Sequence, residues 1–232
     1  MKLEDKIIFV SGADRGLGRA IVKALLKIQV KKVYASASKI KDLPKLGDAR
    51  VVPIQLELSH LMQIKKAIEV AKDVNVLINN PVISTFSLGD MGEDEMVIRD
   101  MKMNYFGTLN MVCAFVPIIE KNGSGAIVNV GSGVELASNS KLGGYSPSEA
   151  ALFSASQVMR KEFKSKNISI HTIFPRPFDK DKDKTSLQSI AKNIIKGIDA
   201  GVEDVFPDPT AVEVGELWFK NPEDLERMLA AM

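Results

Sequence analysis

Cysteine is almost missing from this chain: Cys113 is the only one in 232 residues, so no internal disulfide can form. Histidine is nearly as scarce, with His60 and His171 far apart and no cysteines clustered beside them, so no metal site is expected. No apolar run approaches the roughly 20 residues of a membrane span. The opening MKLEDKIIFVSG enters a strand pattern without a signal-peptide core, which predicts a cytoplasmic protein with no membrane partner. An excess of charge of either sign is also absent, 31 Lys and Arg standing against 29 Asp and Glu. With no basic aromatic patch, that balance speaks against a nucleic-acid partner. Cys113, inside the apolar MVCAFVP, is expected to be a buried helical cysteine, and the two histidines to be surface or strand-packing residues.

What the chain does have is alternation. Short β-rich runs (KIIFVSG, VKKVYAS, VVPIQLEL, VNVLINN, GAIVNVGS, ISIHTIFP) are separated by amphipathic segments such as RAIVKALLKI and IKKAIEVAK, a long helical stretch to about 121, and a helix after Tyr145. This order predicts an α/β fold of the Rossmann type, a doubly wound parallel sheet with helices on both faces, formed by residues 1–232 as a single domain. Residues from about 177 to 232 are expected to supply a substrate loop or lid and a C-terminal packing region. Within them lie the alternating charges of FDKDKDK, a helix near 186–200, a helix start at Asn221-Pro222, and Trp218 as tail packing. Sheets of this kind bind ligands beyond the carboxyl ends of their strands, where IIFVSG, VLINN, IVNVGS and HTIFP all end.

Two local patterns carry chemistry. SGADRGLG, between the first strand and the first helix, places Gly12, Gly16 and Gly18 where absent side chains let a pyrophosphate approach a helix N-terminus. In GGYSPSEAALFSASQ, Tyr145 and Glu149 are four residues apart and so share one helix face. A tyrosine there is a candidate proton donor, but a carboxylate neighbour raises a phenol's pKa where a cation would lower it.

The glycine loop resembles the T-G-x-x-x-G-x-G pattern of the short-chain dehydrogenase/reductase family, with Ser11 in place of the threonine, and further landmarks follow in order over residues 5 to about 210. VLINNPV resembles the family's N-N-A-G segment at Asn79 and Asn80. MKMNYFGTLNM puts Asn104 where the family keeps an asparagine for a proton-relay water. IVNVGSG ends the fifth strand with Ser132, thirteen residues before Tyr145, the family's interval between its orienting serine and its catalytic tyrosine. The resemblance implies a dinucleotide held by Gly12, Asp14, Arg15, Gly16, Leu17 and Gly18, by Ser36 and Lys39 after the second strand, and by Glu57 and Leu58 after the third. Asn80, Pro175 and Phe178 complete that set. Because VYASASKIK has no acid to accept ribose hydroxyls, and Arg15 and Lys39 can meet an extra phosphate, NADP(H) is expected rather than NAD(H).

By the same resemblance, Ser132 orients a carbonyl, Tyr145 donates a proton as hydride arrives from the nicotinamide, and Asn104 supports a water relay. This is reduction of a small carbonyl, or oxidation of an alcohol, by a homodimer or homotetramer. The family's lysine four residues after the tyrosine is Glu149 here. Val82 and Arg176 stand where the family has glycines near the cofactor, and Lys180 stands for a threonine. Two readings are open: a reductase in which Arg176 or Lys180 supplies the missing cation opposite Glu149, or a catalytically silent member that binds a nucleotide or partner as a sensor or assembly component.

Overall fold

The computed structural model describes residues 1–43, 47–81, 94–139, 142–176 and 185–230. Seven parallel strands form one sheet in the order β3-β2-β1-β4-β5-β6-β7. They are β1 (Ile7–Val10), β2 (Lys32–Ala37), β3 (Val51–Gln55), β4 (Val76–Asn79), β5 (Gly125–Val130), β6 (Ile168–Ile173) and β7 (Asp204–Val205). Helices cover both faces of the sheet, so IIFV in β1, VLIN in β4 and GAIVNV in β5 are buried along their whole length. Pro53 sits in β3, the edge strand, where a missing N–H leaves no gap in the interior ladder.

On one face, α1 (Gly16–Leu25) and α6 (Leu187–Asp199) close over a core that includes Ile8, Val10, Ile21, Val33, Ile194 and Ile198. On the other, α2 (Leu61–Val70), α4 (Thr108–Lys121) and α5 (Tyr145–Glu162) bury Phe9, Ile64, Leu77, Phe115, Ile127 and Met159. The long helical stretch before residue 121 is not uniform. α3 (Asp94–Asp100) passes into a π-helical segment, Met101–Gly107, before α4 begins. A smaller core of Leu136, Phe174, Val214, Leu225 and Leu229 lies under α7 (Pro209–Lys220) and α8 (Pro222–Ala230), with Trp218 packed against it as expected.

Cys113 is exposed rather than buried. α4 turns Met111, Val112, Phe115, Val116 and Ile119 into the core, and Cys113 falls on the opposite face. His60 is exposed beside Glu57, and His171 is buried on β6 between Ser169 and the Val202 carbonyl. β1 is flanked by β2 and β4, so the chain leaves in opposite directions on either side of it and opens a crevice beyond those strand ends.

Candidate active site

The turn from β1 into α1 is set by contacts that only glycine allows. A Cβ on Gly12 would lie 2.3 Å from the Asn80 carbonyl oxygen, and one on Gly18 would lie 2.1 Å from the Gly12 oxygen. Ser11 Oγ accepts the Asn80 backbone N–H at 2.9 Å, and Asn80 Nδ2 donates to the Gly12 oxygen at 3.3 Å, which fixes the loop to the end of β4. No side chain caps α1, so its first N–H groups remain available to an anion.

A relay of amides holds α5 over the sheet. Asn79 Nδ2 donates to Asn129 Oδ1 at 2.9 Å, Asn129 Nδ2 donates to Ser156 Oγ at 2.9 Å, and Ser156 Oγ donates to the Leu152 carbonyl at 2.8 Å. Farther along α5, Arg160 donates to Thr172 Oγ1 at 2.9 Å and pairs with Asp204. Thus anchored, α5 brings Tyr145, at its first turn, beside Ser132, which follows β5.

A cavity of about 380 Å³ connects these parts. Gly12, Asp14, Arg15, Gly16, Leu17, Asn80, Ser132, Tyr145 and Pro175 all line it, as does Arg176. Gly18 lies in the turn beneath. Ser36, Lys39, Glu57 and Leu58 stand outside this lining. Ser36 is buried at the end of β2 with a hydroxyl that has no partner, and Lys39 is exposed. Glu57 accepts from the Ser59 hydroxyl at 3.3 Å, and Leu58 is buried against Gly107. Asn104 is buried on the π-helical segment and donates to Ser148 Oγ at 3.0 Å; that hydroxyl donates to the Tyr145 carbonyl at 2.7 Å. Phe178, Val82 and Lys180 lie outside the described residues.

Burial and the neighbouring carboxyl groups act on Tyr145 in the same direction. Burial, followed by the Glu149 charge, pushes its phenol well above the ordinary value, against the opposing effect of the Ser132 hydroxyl; Glu135 and Asp100 add to the rise. Glu149 is itself 2% exposed, and burial together with Glu135 and Asp100 raises its carboxyl well above the usual carboxylate range. Arg176 lines the cavity, its guanidinium donating to the Thr185 carbonyl at 3.2 Å and its backbone N–H to Asp208, while Lys180, the other expected cation, is outside the described residues.

Sequence reasoning missed Glu135. Its carboxylate accepts the Ser132 N–H at 3.2 Å, and its Oε1 lies 1.9 Å from where a Gly131 Cβ would stand. A carboxylate three residues after a candidate serine, on a loop that must fold back, is the signal that could have found it.

A Burkholderia cenocepacia short chain dehydrogenase, solved in complex with NADP, is 28% identical, with a TM-score of 0.90 and 99% of each chain covered. An NADP-dependent 3-hydroxy acid dehydrogenase of Schizosaccharomyces pombe is 29% identical over 75% of this chain and 72% of its own. A 3-oxoacyl-acyl-carrier-protein reductase of Thermotoga maritima is 27% identical over 75% of each. With the family pattern matching residues 6–190, the chain belongs to the short chain dehydrogenase family.

Proposed function

We propose that this protein is an NADP(H)-dependent oxidoreductase that reduces a small ketone or aldehyde to an alcohol, with Tyr145 as proton donor. The observation that carries this reading is the cavity that runs from the uncapped N-terminus of α1 to Ser132 and Tyr145. The residues present fit the dinucleotide: Gly12 and Gly18 leave the backbone bare where a pyrophosphate would lie, and the α1 N–H groups and Arg15 offer positive potential. The end of β2 carries the orphaned Ser36 hydroxyl and no carboxylate, which supports NADP over NAD. The NADP of the Burkholderia structure and the NADP dependence in the Schizosaccharomyces protein's name support the same choice.

Bound there, the nicotinamide supplies hydride to the substrate carbon. Ser132 orients the carbonyl, Tyr145 gives its proton to the oxygen, and Asn104, behind the first turn of α5, supports a water relay. A phenol held above its ordinary pKa stays protonated, which suits reduction and opposes the phenolate needed to oxidise an alcohol. Phe106 and Val158, exposed on the π-helical segment and α5, support a homodimer or homotetramer built on these helices.

A second reading is favoured by Glu149, which we take to replace the family's lysine: a silent member that binds a nucleotide or partner as a sensor or assembly component. Calorimetric titration with NADPH and NADH, followed by NADPH oxidation over a carbonyl panel, separates the two. NADPH binding with turnover is the expected result, and binding without turnover transfers support to the second reading. If neither nucleotide binds, the reductase reading falls and a silent member that binds a partner is left.

A further inference from the structure

Among the described residues that line the cavity, charge is carried only by Asp14, Arg15 and Arg176. The first two pair at 3.3 Å in the glycine turn beyond β1, where the pyrophosphate of the proposed cofactor would lie. Arg176 enters from another side. It follows β6, which neighbours β5 in the sheet and stands three places from β1. At about 4.8 Å per strand, the ends of β1 and β6 are roughly 14 Å apart. Val130 and Ile173 stand opposite each other in β5 and β6, and the Gly131 N–H donates to the Ile173 carbonyl at 2.8 Å. Ser132 and Arg176 therefore leave adjoining strands just beyond the same rung, and the cation belongs to the Ser132 end of the cavity.

Its place is fixed by hydrogen bonds from several elements. The Phe174 N–H donates to the Val205 carbonyl at 2.9 Å, and the Arg176 N–H donates to Asp208 Oδ2 at 3.0 Å. Asp208 is 3% exposed, and its Oδ1 accepts the Ala211 N–H at 2.9 Å as the N-cap of α7. From α6, Asn193 Nδ2 donates to the Pro207 carbonyl at 2.9 Å. β6, β7, α6 and α7 thus meet beneath the backbone of Arg176, and the bond from its guanidinium to the Thr185 carbonyl orients the side chain. The rest of the wall beside Arg176 and Ser132 is apolar, with Val130, Pro175, Leu187 and Ile190.

We propose that Arg176 binds a carboxylate on the substrate, so that the carbonyl compound reduced at Ser132 and Tyr145 is a small oxo acid. The proposal rests on the reductase reading above and narrows it. A guanidinium fork meets a carboxylate through two parallel N–H bonds, which fixes direction as well as distance. With its carbonyl at Ser132 and its carboxylate at Arg176, the acid lays a short apolar chain against Val130 and Pro175. A cavity of about 380 Å³ must also admit the nicotinamide, which keeps that chain short. In one turnover hydride passes from NADPH to the carbonyl carbon and the Tyr145 proton passes to its oxygen. The phenolate then regains a proton from water, the carboxylate is unchanged, and the product is a hydroxy acid.

The test uses the whole chain, saturated with NADPH, and a panel of short oxo acids beside their methyl esters, which keep the carbonyl and lose the charge. The native protein should reduce an oxo acid with a kcat/KM about 10- to 100-fold above that of its ester. Arg176→Gln should erase that preference through the KM of the acid, leaving the ester's kcat/KM and the calorimetric affinity for NADPH unchanged. Arg176→Lys, which keeps the charge without the fork, should restore part of it. Binding gives a readout apart from turnover: butyrate, titrated by calorimetry into the NADP-saturated protein, should bind the native chain and not Arg176→Gln. Equal kcat/KM for acids and esters in the native protein, or a loss in Arg176→Gln shared by both, overturns the carboxylate anchor and leaves the reductase reading standing. A fall in NADPH affinity with the acid-to-ester ratio unmoved also overturns it, and assigns Arg176 to the phosphates of the cofactor. Native protein that binds NADPH yet reduces neither acids nor esters overturns the reductase reading and the oxo-acid substrate with it.

Discussion

The two walls of the cavity are built by different means. The glycine wall, from the β1–α1 turn to the end of β4, is made of backbone: its close approaches involve Gly12, Gly18 and the Asn80 carbonyl, and its polar groups are paired through Ser11 and Asn80. The α5 wall is made of side chains, with Tyr145 set among Glu149, Glu135 and Asp100, all buried and of one sign when ionised. The first arrangement offers positive potential to an anion, and the second withholds it from a phenol. In the proposed reaction, binding of a nucleotide and transfer of a proton would thus fall to physically separate groups, each open to alteration without the other.

The largest effect should come from striking the α5 wall alone. Tyr145→Phe removes the donor hydroxyl and should lower kcat for NADPH-dependent reduction by about 10²- to 10⁴-fold, with the calorimetric affinity for NADPH unchanged. Equal loss of both would mean that the two walls are not independent. Glu149→Lys should make the walls agree in sign: it removes a charge that raises the Tyr145 pKa and adds one that lowers it, so alcohol oxidation with NADP should rise about tenfold for each unit that the phenol falls. The smallest expected change is on the glycine wall. Ser11→Ala removes the acceptor of the buried Asn80 N–H and should cost about 1–3 kcal/mol in urea unfolding, with weaker NADPH binding.

The sheet was readable because each of its six longer strands is an apolar run bounded by a polar or glycine turn, and those runs became β1 to β6. β7 escaped notice because Asp204–Val205 is two residues long and forms only beside β6. The π-helical segment was hidden for a different reason: MKMNYFG has the same apolar spacing as the helices on either side, so nothing in the pattern marks the change of pitch. Tyr145 and Glu149 could be paired from sequence because helical spacing is local. Glu135 and Asp100 could not be joined to them, since that depends on a loop folding back and on how α3 meets α5. Cys113 shows the limit of composition: an apolar neighbourhood in sequence did not decide which face of α4 it would occupy.

α8 also reaches the site, although no residue of it lines the cavity. Asn139 Nδ2 donates to the Leu229 carbonyl at 2.8 Å, and Leu136 shares its core with Leu225 and Leu229, so the loop that carries Glu135 is buttoned to the last helix of the described chain. Shortening the chain before Leu225, or fusing a bulky tag close behind Leu229, would therefore alter the acid–base behaviour of a tyrosine some eighty residues upstream while leaving the glycine turn as it was.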